Sequence, residues 1–99
     1  MTEQSQPPTQ PSGLEDYLGE QVVVDTRSSY VLLGTLVGIH RDYLTLETVD
    51  VHDTGFAEST KDQYIMEAGR LGICANRNGA KVRIAEVVSV SLLRDVITI

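Results

Sequence analysis

His40-Arg41-Asp42-Tyr43 places an imidazole, a guanidinium, a carboxylate and a phenol ring at four consecutive positions. A tyrosine can stack on an unpaired base and an arginine can pair with phosphate or a base edge, the usual means of holding single-stranded RNA. A polar hairpin tip with Tyr43 packed on its neighbours fits the same residues. Further along, Arg70, Arg77, Lys81 and Arg83 occur with no acid between the first and the last. Three readings suit that pattern: an anion- or RNA-binding face at Arg77, Lys81 and Arg83, complementary charge between subunits, or solvated cations on a loop and strand. Asp50, His52 and Asp53 carry metal-ligating groups. Along a strand, however, Asp50 and His52 point one way and Asp53 the other, which leaves two ligands where a metal needs three or four. No metal site is expected. The serines lack a spaced His/Asp partner motif, Cys74 stands alone, and no glycine loop of phosphate-binding form follows a strand. The chain therefore reads as non-enzymatic, with no cofactor and no small-molecule substrate.

The 99 residues suit one small domain, and 41% hydrophobic residues suffice for its core. Acids outnumber bases 14 to 8, so bulk charge argues against a general polyanion coat. The charge is polarised. Residues 1–53 hold two basic and nine acidic side chains, net −7, whereas residues 54–99 hold six and five, net +1. A single cysteine excludes an intrachain disulfide and fits a reducing compartment, so a cytoplasmic location is expected. Residues 1–12 contain all three prolines and no lysine, arginine or apolar run. They read as a disordered tail rather than a signal peptide, followed by a domain over 13–99. No stretch approaches the roughly 18 apolar residues of a membrane span.

These side chains must be positioned by strands, because valine dominates the apolar supply. Ser12-Gly-Leu-Glu15 has the form of a capping box, and Leu14, Tyr17 and Leu18 share one face of a short helix closed by Gly19. Strands are expected over 21–27, 30–40 and 43–51, joined by tight turns at Ser28-Ser29 and Arg41-Asp42, with Gly34 and Gly38 bending the second. A loop is expected over 52–58. Thr60-Lys-Asp-Gln63 is a second capping box, and Tyr64, Ile65, Ala68 and Leu71 form a helical stripe that Gly72 could close, with Ile73 as the apolar residue of a Schellman ending. A strand over 63–68 is the competing assignment. Asn78-Gly79 signals a turn, then short strands follow over 80–84 and 87–92, broken at Ala85-Glu86, with a further short strand possible over 96–99. The expected fold is mainly β: a small five-stranded, SH3-like antiparallel barrel with an N-terminal helix and an added helical segment over about 54–79.

Particular residues in this layout resemble the Sm-like superfamily, which includes the LSm and Hfq proteins. Leu14-Glu-Asp-Tyr-Leu-Gly19 followed by Val22-Val-Val24 resembles its N-terminal helix and first strand. Gly34-Thr-Leu36 and Leu44-Thr-Leu46-Glu47 resemble parts of the first Sm motif, and Lys81-Val-Arg-Ile84, Ala85-Glu86, Val87-Val-Ser-Val90 the second. The match covers roughly 14–53 and 80–93, as a divergent bacterial-type member with an insertion before the second motif. The departures are specific. The family's Asp-x-aromatic/His-x-Asn loop is here Ile39-His-Arg-Asp-Tyr43, shorter and without the asparagine. Its Arg-Gly between strands four and five is here Ile84-Ala85.

The resemblance implies a cyclic homo-oligomer, with strand four of one subunit beside strand five of the next. This agrees with the tendency of free edges to pair and of heterologous contacts to close rings. Val82, Ile84, Val88, Val90 and Leu92 are the expected interface residues. The resemblance also implies single-stranded RNA as partner, with His40, Arg41, Asp42, Tyr43, Arg77, Lys81 and Arg83 as the binding residues. The alternative is a protein-interaction barrel that uses the added helix and binds no nucleic acid. No membrane is expected.

Overall fold

The computed structural model describes residues 13–56 and 58–98. The tail over 1–12, the Ser12 cap and Ile99 lie outside the described residues.

The first element is a single 3-10 turn, Glu15–Tyr17, in place of the expected α-helical turn. A 3-10 turn repeats every three residues, so positions i and i+3 coincide and i+4 does not. Leu14 and Tyr17 accordingly pack on the barrel core, whereas Leu18 is exposed. Gly19 has a φ of +84°, the left-handed conformation expected of it. Its N–H donates to Leu36 O at 2.7 Å, tying the entry of the chain to the sheet.

Three strands follow as an antiparallel meander: β1 Gln21–Thr26, β2 Tyr30–Ile39 and β3 Tyr43–Asp53. β3 runs two residues beyond its expected end and passes into a 3-10 turn, Thr54–Phe56, so most of the expected loop is regular. After helix α1, Lys61–Leu71, come β4, Arg77–Arg83, a 3-10 step at Ile84–Glu86, and β5, Val87–Leu92. The sheet order is β4-β3-β2-β1-β5, so β4 and β5 are its two edges. A last 3-10 turn, Leu93–Asp95, leads to residues 96–98, which form no strand.

The sheet curls because two bulges bend it. Between Leu33 and Thr35, β2 advances two residues while β3 advances three, and between Leu36 and Gly38 the imbalance reverses. The first bulge includes Thr48, whose φ of +52° is positive for a non-glycine residue. An extra residue shifts the inside-outside alternation by one. Leu44 and Leu46 point inward before the bulge and Val49 and Val51 after it, which turns Asp50 and His52 to the outer face.

Two apolar clusters result. Val22, Val24, Leu32, Leu36, Leu44, Leu46 and Val49 fill the barrel, closed by Val82 and Leu92 from the edge strands. On the outer face, Val23, Val31 and Leu33 meet Ala68 of α1 and Leu93, with Tyr64, Ile65, Ile73 and Val96 around them. β1 is therefore apolar on both faces because both are covered.

α1 is built as its sequence foretells. The Thr60 hydroxyl accepts from Gln63 N–H at 3.2 Å, and Gln63 Oε1 accepts from Thr60 N–H at 2.9 Å. Gly72, at φ +92°, donates its N–H to Ala68 O at 2.8 Å and ends the helix. The stripe differs at one end. Leu71 is 79% exposed, and the turn at Gly72 brings Ile73 into the cluster instead. Lys61 pins the other end: its Nζ donates to Asp25 Oδ1 at 2.6 Å, Thr26 O at 3.0 Å and Ser28 O at 2.7 Å.

Asn78-Gly79 is not a turn. Both residues lie inside β4, with Gly79 opposite Glu47 and Arg77 opposite Val49. The chain reverses earlier, where Asn76 imitates a strand residue. Its N–H donates to Val49 O at 2.8 Å, its Oδ1 accepts from Val51 N–H at 3.0 Å, and its Nδ2 donates to Val51 O at 3.0 Å.

Candidate nucleic-acid interface

The hairpin between β2 and β3 closes through His40 N–H to Tyr43 O at 2.9 Å. Its short span turns the His40 ring back over Tyr43, with centroids 4.3 Å apart and planes 21° from parallel. Tyr43 faces Arg83 across the β3–β4 ladder and Thr45 faces Lys81. Lys81 and Arg83, two apart on β4, share the face on which Tyr43 lies. Lys81 Nζ sits 5.8 Å from the Tyr43 ring centroid, within cation–π range. The step after β4 is tied to the same tip, because Ile84 N–H donates to Asp42 O at 2.9 Å. Asp42, Tyr43, Lys81 and Arg83 enclose a groove of about 330 Å³. Arg41 is exposed at the tip.

Chemically, this groove offers a half-buried aromatic face and two cations, with one carboxylate at its margin. The aromatic can accept a flat apolar ring and the cations can neutralise phosphate. One member of the expected set lies elsewhere. Arg77 is six residues from Arg83 along the strand, about 20 Å at the usual rise. It borders a separate hollow with Thr48, Ala75, Asn76 and Asn78. Arg70 borders another, on α1, with Glu58, Gln63 and Glu67. The run of cations over 70–83 is therefore dispersed over three places.

The expected interface residues divide in the same way. Val82 and Leu92 are 6% and 8% exposed, and their side chains belong to the barrel core. Val90 is half-buried against that core. Ile84 and Val88 are exposed, Val88 to 63%. Among the described residues, β4 and β5 each present outward one row of backbone groups that no strand pairs.

The Asp50, His52 and Asp53 cluster does not converge. Asp53 accepts from the Ser29 hydroxyl and from Gly55 N–H at 2.9 Å, and these bonds hold its carboxyl below the ordinary carboxylate value. Asp50 and His52 lie beneath α1, where the His52 ring stacks on Tyr64 at 3.8 Å, planes 1° apart. No group of three or more metal-ligating side chains occurs among the described residues. Among these residues, too, no helix is long and apolar enough to cross a membrane. Lys61 and Asn76 escape sequence reasoning. Each is a lone polar residue whose partners come from strands 25 or more residues away.

No protein-family model matches the chain, and no curated protein does. Solved structures do. The chain is similar to a heptameric archaeal Sm protein at 23% identity, over 83% of this chain and 97% of that one, with a TM-score of 0.56. It is similar to the Pyrococcus abyssii Sm protein in complex with a uridine heptamer at 14% identity, over 88% and 99%, with a TM-score of 0.56. A chain of the NatC complex bound to CoA matches at 18% identity, over 80% and 82%, with a TM-score of 0.52. The chain has the Sm fold, a five-stranded antiparallel barrel.

Proposed function

We propose that this chain is a non-enzymatic, ring-forming Sm-type protein that binds single-stranded RNA at the groove between the β2–β3 tip and β4. One observation carries the reading. The Ile84–Asp42 bond holds the tip and the step after β4 together, and Tyr43, Lys81 and Arg83 converge beside them. In this reading a base stacks on Tyr43, in the place or over the face of the His40 ring, while Arg83, Lys81 and Arg41 neutralise phosphates. Arg77 is left out, because a single-nucleotide contact at Tyr43 does not span its distance. Free edges on β4 and β5 support a closed ring, in which each β4 pairs with the next subunit's β5. The two solved relatives named as a heptamer and as a uridine complex support the same assembly and ligand.

Fluorescence anisotropy with short oligo-U and oligo-A, titrated with salt, tests the reading. Binding at low salt that weakens as salt rises is expected, with a slope reduced by about 0.7 for each phosphate-neutralising cation removed. Tyr43→Ala is expected to weaken binding about five-fold or more, because stacking on one aromatic contributes roughly 1–3 kcal/mol per base. Absence of binding at low salt by correctly assembled protein rejects it, and a monomer mass by native mass spectrometry rejects the ring.

A second reading rests on the NatC match and on the exposed apolar residues Phe56, Leu71 and Ile97. It makes the chain a subunit of a heteromeric complex, with α1 and its surroundings as the contact. A chain that is monomeric alone, binds no RNA and assembles with a different protein is its signature.

A further inference from the structure

The outer face of β3 carries a nearly buried carboxylate with a single side-chain donor among the described residues. Asp50 is 5% exposed. Its Oδ1 accepts from Asn76 Nδ2 at 3.3 Å, a long bond, and no other hydrogen bond reaches the side chain from the described residues. Burial pushes its carboxyl above the ordinary value, with the charge of His52 pulling the other way. A buried carboxylate normally accepts from several donors, whereas Asp50 accepts from one among the described residues.

The space beside that carboxylate is open. Asp50 borders a cavity of about 300 Å³ between β3 and the C-terminal half of α1, whose other walls include Tyr64, Glu67, Leu71, Ile73 and Cys74. Among the described residues, two carboxylates and no basic side chain line it, so an anion is repelled and a cation attracted. The remaining walls are largely apolar, and Tyr64 is held in place by its flat stack on His52. The neighbouring hollow on α1 has Arg70 in its lining and no buried acid, so it lacks this character. Ligand sites run from about 300 to 1,000 Å³, which puts this cavity at the scale of a phenyl or short alkyl group rather than a nucleotide.

We propose that this cavity binds a small primary amine bearing an apolar substituent, with the ammonium between Asp50 and Glu67 and the apolar body against Tyr64, Leu71 and Ile73. An ammonium brings three donors and a full charge, the complement of a nearly buried carboxylate that has one long hydrogen bond. The site shares no residue with the groove at Tyr43, so it stands whether or not RNA binds there.

Titration of the isotopically labelled full chain with benzylammonium, followed by amide NMR, tests the proposal. Benzyl alcohol and benzoate serve as the neutral and anionic analogues. Saturable shifts at Asp50, Tyr64, Ala68 and Cys74 are expected with benzylammonium within about 10 mM, at least about ten-fold weaker with the alcohol, and absent with benzoate. Asp50→Asn, nearly isosteric, is expected to weaken binding about ten-fold or more, and Glu67→Gln, on the exposed side of α1, several-fold. Glu67→Gln keeps the test decisive if Asp50→Asn disturbs the fold. No saturable shift, equal affinity for the alcohol, or unchanged affinity in both variants overturns the proposal. N-acetyl-lysine methylamide forms a separate arm. Tighter binding of it than of benzylammonium would mean that the ammonium belongs to a protein side chain, which overturns the small-molecule assignment.

Discussion

Gly34→Ala isolates what the bend in β2 demands. The backbone at Gly34 is not in the left-handed region, so alanine meets no conformational barrier there. Through the unfolded chain alone, the substitution would stabilise by about 0.4–1 kcal/mol. The added Cβ, however, would stand 3.1 Å from Glu47 O and 3.3 Å from both Cα and Cγ2 of Val49. Two of these atoms are β3 backbone on either side of Thr48, at the bulge, and cannot swing away. Overpacking of this kind costs about 1–3 kcal/mol, so the net expectation is a loss of about 1–2 kcal/mol. For a domain of this size that lowers Tm by roughly 4–16 °C. Gly38→Ala is the matched control. Its Cβ would meet His40 Nε2 at 2.9 Å, a side-chain end that can move, and Thr45 Cβ only at 3.4 Å. Stability should change by less than about 0.5 kcal/mol, while the His40 ring leaves Tyr43. Urea unfolding followed by tyrosine fluorescence, at one fixed protomer concentration, gives both values. A Gly34→Ala protein as stable as the parent, with unchanged m, would refute the claim that close approach of β2 and β3 is what requires glycine.

Asn76→Ala removes three side-chain hydrogen bonds to β3, two with the Val51 backbone and one with the Asp50 carboxylate, and should cost about 1–3 kcal/mol, measured by the same unfolding curves, with faster amide exchange at Val51. Lys61→Met strips the partly exposed ion pair and two carbonyl contacts that pin α1, so amide exchange in α1 should accelerate more than in β2. A uniform acceleration would show that α1 does not open as a unit. The two acidic groups give opposite pH slopes. Asp50 is raised in the folded state, so its contribution is most favourable below the ordinary value of 3.8 and is lost as pH rises through its folded value. Asp50→Asn should remove that slope and be at least as stable at neutral pH. Asp53 is lowered, so its contribution is present above 3.8 and is lost as pH falls through its folded value. Ser29→Ala should flatten that acid limb, and an unchanged limb would show that the Ser29 bond is not its cause.

The order of the strands along the chain and the helix between the third and fourth could be read from the sequence, because caps, alternation and helical spacing act within a few residues. The capping box at Thr60, the break at Ala85-Glu86 and the five strands follow from such local rules. So does half of the candidate site: the tip at His40–Tyr43 is a contiguous stretch. The rest depended on which strand lies beside which. Register put Lys81 and Arg83 beside Tyr43 and carried Arg77 away from them, although all three look alike in the sequence. Pairing across the Thr48 bulge drew Asn78-Gly79 into a strand, and one extra residue there turned Asp50 and His52 outward under α1. Residue types and spacing thus determined the elements and the kinds of group available. Only the tertiary structure decided which groups meet, because backbone pairing is chosen over tens of residues and a shift of one position exchanges the two faces of a strand.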